Sequence, residues 1–157
     1  MNKLTIGTFN CENLFLRYKF ESTAAAENAV LNGFIIDPKR FEVVLEAERT
    51  ITAAAILELN ADIVVLQEVE NMEVLKNFNA AFLKGKYKYK MLIDGNDPRL
   101  IDVALLSKYP FDYAQTHQFR RSTKSYIFSR DCLEVSFTID GKPLHLFVNH
   151  FKSMLGG

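Results

Sequence analysis

The chain has 157 residues, 48% hydrophobic and 24% charged, which fits one domain, or part of a larger one, with a buried core and excludes a disordered polypeptide. Basic and acidic residues balance at 19 each, so no global field draws the molecule to nucleic acid or to a membrane, and a polyanionic substrate has to be held by a local patch or a metal ion. No segment reaches the ~18 apolar residues of a transmembrane helix, and "MNKLTIGTFN" lacks the pattern of a signal peptide, so the expected location is cytoplasmic.

Taken in chain order, Leu4–Cys11 reads as a first strand, with Gly7 marking a close backbone approach or a bulge. Phe15–Ile36 reads as a long loop, a length that in a compact domain is often functional. Asp37-Pro38 is a helix-start signal, after which Phe41, Val44, Ala47, Ile51, Ala55 and Leu59 fall on one helical face ending near Asn60. Ile63–Leu66 is a continuous apolar run, as in a strand covered on both faces. Asn71–Leu83 predicts a second helix, and Tyr89–Ile93 and Ile101–Ser107 predict strands. Leu133, Val135, Phe137 and Ile139 alternate with polar residues, Asp140-Gly141 supplies a hairpin turn, and Leu144, Leu146 and Val148 line the return strand. The class is α/β with a mixed sheet and helices on one face. Cys11 and Cys132 lie in apolar segments and read as reduced core residues.

Several apolar strands end in polar residues. The first ends in Asn10 and Glu12, "DIVVLQE" in Gln67 and Glu68, and "LHLFVNHFKS" in Asn149, His150, Lys152 and Ser153. Ligands of α/β sheets bind beyond strand ends, and burying such groups unpaired costs several kcal/mol each. Singly, each has an ordinary reading. Glu68 could cap a helix, Glu12 serve a loop, Asn10 close a turn, and His150 sit satisfied at a sheet edge. Asp102 could start a strand, and Arg130-Asp131 could be a surface ion pair. Their shared location points to one polar rim.

The motifs "TFNCENLF", "ADIVVLQEVEN", "RLIDVALLSKYP", "SRDCLEVSF" and "LFVNHFKS", in this order over almost the whole chain, resemble the endonuclease/exonuclease/phosphatase superfamily, the deoxyribonuclease I-like group. The resemblance implies a four-layer α/β/β/α sandwich and a Mg²⁺- or Mn²⁺-dependent phosphodiesterase or phosphatase, cleaving P–O bonds by in-line attack of water. It implies Glu68 as metal ligand, Glu12 near a second metal position, and Asn10 supporting the metal and phosphate region. It further implies His150 and Arg130 as phosphate contacts, and Asp102 either orienting His150 or lying near the metal. The substrate would be a phosphate ester, nucleic acid included.

Two later motifs of that family, a "GDFN"-like strand end and an "SDH"-like motif, do not occur in these residues. The expectation is therefore that residues 1–157 form the N-terminal portion of one such domain, supplying about the first sheet and its helices. A bare inner sheet face would then favour self-association. The alternative reading is an inactive scaffold or a binding and assembly module.

Overall fold

The run "DIVVLQEV" becomes the central strand of the molecule because both of its faces are covered. The computed structural model describes residues 3–14, 18–20, 41–43, 46–97 and 101–151. Strand β1 (Ile6–Leu14) pairs in parallel with β4 (Ile63–Val69). On the other side of β4 runs β6 (Asp102–Ser107), antiparallel, followed at the edge by β5 (Tyr89–Leu92), also antiparallel. The sheet order is β1-β4-β6-β5, a mixed sheet. Two short strands, β2 (Tyr18–Phe20) and β3 (Phe41–Val43), pair antiparallel as a separate ribbon.

Helices α1 (Glu46–Leu59) and α2 (Met72–Ala81) pack on one face of the main sheet. Val64, Leu66, Ala104 and Leu106 face them, in a cluster with Ala53, Ile56, Val74, Leu75 and Phe78. Asn71 caps α2, its side-chain oxygen accepting the Val74 N–H at 2.9 Å. Alternate residues of the same strands, Ile63, Val103 and Leu105, face the other way.

They meet a second sheet of three strands, β7 (Tyr113–Gln115), β8 (Cys132–Ile139) and β9 (Lys142–Asn149), antiparallel throughout. Leu133, Val135, Phe137 and Val148 close this second core. The β8–β9 turn places Asp140 and Gly141 at φ 52° and 71°, the left-handed pair of a tight hairpin. The described layers are helices, sheet, sheet.

Three expectations change. The inner face of the main sheet is not bare, because the β7–β9 sheet covers it; the exposed side is the outer face of that second sheet, with Phe147 and His145. Phe41–Val43 is extended, so the helix does not run from Asp37-Pro38, which lie outside the described residues, and Phe15–Ile36 is described only at β2. On α1 the buried face is Ala53 and Ile56, whereas Ile51 and Leu59 are exposed. The alanine-rich helix carries two apolar stripes, and the sequence alone does not rank them. Cys11 and Cys132 are free and buried, as expected; burial, then the nearby Glu68 charge, pushes the Cys11 thiol up to about 12.

Candidate active site at the strand ends

Parallel pairing of β1 with β4 brings their C-terminal ends to one rim, in the register Asn10↔Gln67. Both strands are irregular there. The β1 register shifts between Asn10 and Leu14, the β4 register between Gln67 and Val69. Glu12 and Glu68 take left-handed backbone, at φ 47° and 64°. Bulges of this kind re-aim side chains at sheet ends.

The re-aimed groups converge. Asn10 Nδ2 donates to Glu68 Oε1 at 3.2 Å. His150 Nε2, from the end of β9, lies 3.5 Å from the same oxygen. Asn10 Oδ1 accepts the Glu12 backbone N–H at 2.9 Å, fixing the turn that carries the second carboxylate. Three strands from two sheets thus bring an amide, a carboxylate and an imidazole together. Glu12 stands beside them, exposed.

Beneath this rim lies a buried charged layer. Arg130 lies inward: its Nε is 3.1 Å from Asp97 Oδ2, and its Nη1 donates to the His150 carbonyl at 3.3 Å. Both side chains of the Arg130–Asp97 pair are below 10% exposure, so the surface ion pair with Asp131 is not what forms. Asp131 instead accepts the His117 N–H at 2.8 Å. Asp102, buried at the start of β6, accepts the Gly95 N–H at 2.9 Å. A Cβ at Gly95 would lie 2.7 Å from Asp102 Oδ1, so the carboxylate would have to shift to admit one. Burial, together with the charges of Asp94, Asp97 and Asp131 and against the Gly95 bond, pushes the Asp102 carboxyl up to about 6.

The remaining strand-end groups do other work. Gln67 Nε2 donates to Thr8 Oγ1, and Asn149 Nδ2 donates to the Phe147 carbonyl. Lys152 and Ser153 lie outside the described residues. Asp97 and Gly95 are absent from the sequence-based set. The signal for them is the acid-rich "DGND" just before an apolar strand.

Among the described residues no three His, Cys, Asp or Glu side chains converge as metal ligands. Glu68 and Glu12 offer carboxylate oxygens, the donor type that a hard cation such as Mg²⁺ takes, one or two being enough when it keeps most of its waters.

A sheet-on-sheet α/β scaffold with a carboxylate, an amide and an imidazole at one rim has the fold of the deoxyribonuclease I-like hydrolases. The chain belongs to the Endonuclease/Exonuclease/phosphatase family, whose model matches residues 5–157. It is similar to an endonuclease/exonuclease/phosphatase family protein from Leptotrichia buccalis, at 12% identity and a TM-score of 0.52, over 96% of this chain and 55% of that one. It is also similar to a β-hairpin deletion mutant of β toxin from Staphylococcus aureus, at 15% identity and TM-score 0.48, over 92% and 50% of the two chains. Sphingomyelinase C from Streptomyces griseocarneus follows at 17% identity and TM-score 0.43, over 92% and 48%. The chain spans about half the length of these structures. No curated protein matches it.

Proposed function

We propose that the protein is, or forms part of, a Mg²⁺- or Mn²⁺-dependent hydrolase of phosphate esters, with Asn10, Glu12, Glu68, Asp102, Arg130 and His150 serving one site. The observation that carries this reading is the meeting of Asn10, Glu68 and His150 at one rim, with Nδ2 and Nε2 at 3.2 and 3.5 Å from Glu68 Oε1. Glu68, and Glu12 beside it, would hold the cation, which when bound would supply charge to offset the phosphate and the leaving oxygen.

Asn10 orients the Glu68 carboxylate by its amide N–H and fixes the Glu12 turn by its carbonyl oxygen. The His150 imidazole donates to a phosphate oxygen, a contact that strengthens as charge grows there in the transition state. Arg130 acts from below, holding the backbone that carries His150. Asp102, with its carboxyl pushed up to about 6, anchors the Gly95 turn that packs on the Arg130–Asp131 backbone.

The test is hydrolysis of a soluble chromogenic phosphodiester by the intact protein, with Mg²⁺ and with chelator. Glu68→Gln is expected to lower the Mg²⁺-dependent rate more than about a hundredfold. A rate unchanged by chelator, or by this substitution, overturns the assignment.

A further inference from the structure

Between β7 and β8 the chain forms a short hairpin that the site above does not use. Arg121 and Tyr126 pair across it, the Ile127 N–H donates to the Arg120 carbonyl at 2.9 Å, and the Ser122 N–H donates to the Ser125 carbonyl at 2.8 Å. Residues 116–129 contain Arg120, Arg121 and Lys124 and no Asp or Glu. In a chain of zero net charge this is a run of positive charge along the sequence, with Asp94 and Glu134 meeting only its base, at Gln118 and His117. The same hairpin leaves Phe119 66% and Ile127 59% exposed, and Phe151, directly after His150, is 83% exposed.

The patch and the rim are neighbours. Ile127 is three residues from Arg130, whose Nη1 donates to the His150 carbonyl, so its Cα lies within about 11 Å of the Arg130 Cα. Single exposed apolar residues are ordinary. Two large ones, Phe119 and Ile127, in one hairpin that also carries three cations have the composition of an interfacial element.

We propose that this hairpin, with Phe151, docks the protein on an anionic lipid surface. Cationic side chains meet the headgroups, while Phe119, Ile127 and Phe151 enter the headgroup–acyl boundary. Arg121 lies over the Tyr126 ring, 4.5 Å from its centroid, which suits the amphipathic headgroup level. Nucleic acid is the poorer fit. Its affinity comes from phosphate contacts over a wide footprint, which a neutral chain with three local cations does not supply. The docking stands without the hydrolase reading. Only its consequence rests on that reading: the rim would face phosphoesters carried by lipid.

The experiment is co-sedimentation of the intact protein with vesicles of phosphatidylcholine alone or mixed with phosphatidylserine, with duplex DNA binding measured at the same salt. The expected result is binding to the phosphatidylserine vesicles that weakens as salt rises. Phe119→Ser with Ile127→Ser is expected to lower it about tenfold or more. Arg120→Glu with Lys124→Glu is expected to abolish the preference for phosphatidylserine. These positions are exposed, and an unchanged melting curve confirms folding. No sedimentation with phosphatidylserine vesicles, equal sedimentation of the Phe119/Ile127 variant, or tighter binding to DNA overturns the proposal. Hydrolysis of the soluble phosphodiester is read in parallel. Vesicle binding without hydrolysis refutes the hydrolase and leaves docking in place; hydrolysis without vesicle binding does the reverse.

Discussion

Arg130 shows how burial decides what a residue type does. From sequence a guanidinium near a phosphate site suggests a phosphate clamp, but here its Nε meets Asp97 and its Nη1 meets the His150 carbonyl, with little surface left in water. Removing one partner of a buried pair strands the other charge in low dielectric. Asp97→Ala is therefore expected to lower unfolding free energy by about 3–5 kcal/mol, and adding Arg130→Met should recover much of the loss. Chemical denaturation of both variants checks this; a loss under about 1 kcal/mol would mean that the pair is solvated. Asn10, Glu68 and His150 were legible because each is a polar residue closing an apolar strand. Asp97 was not, since nothing local ties it to a partner 33 positions later in the chain.

Elements were legible where one periodicity dominated. The apolar run of β4 and the alternation of β8 and β9 each allow one strand reading, and Asn71 marked the start of α2. Helix α1 allowed two readings, since its alanines satisfy either stripe. The packing against β4 and β6 decided it by burying Ala53 and Ile56. Ile56→Ala should then cost about 2–5 kcal/mol, whereas Ile51→Ala, on the exposed stripe, should stay within about 0.5 kcal/mol. Thermal melts of the pair distinguish the faces, and equal losses would contradict the packing. The β2–β3 ribbon was not legible. Its strands are three residues each, too short for alternation to register, and the pairing spans a long intervening segment.

Across the whole molecule, the two ends of the main sheet carry different loads. At the end away from the rim, Asp62 accepts the Thr5 hydroxyl at 2.7 Å and the Thr5 N–H at 2.9 Å, and meets Lys108 Nζ at 3.0 Å. The Thr5 bonds, then Lys108, hold its carboxyl down to about 2. Its contribution is present above 3.8 and is lost as pH falls through about 2, reduced by its contact with solvent. At the rim end Asp102 has the opposite sign. Its carboxyl rises from 3.8 to about 6, so the fold favours the protonated form and loses stability as pH climbs through that window. Asp102→Asn keeps an acceptor for the Gly95 N–H and removes the titration. Relative to this variant, the parent protein should weaken between about pH 4 and pH 6 in denaturant titrations. Parallel pH curves for the two would sink this assignment.

The left-handed backbone at Glu68 has an evolutionary consequence. A non-glycine residue held at φ 64° carries strain of about 1–2 kcal/mol, and glycine is the residue that would release it. The substitution that most relaxes this turn is also the one that deletes the central carboxylate. Under the proposed function, drift toward sturdier descendants and drift toward inert ones therefore share a first step at this position.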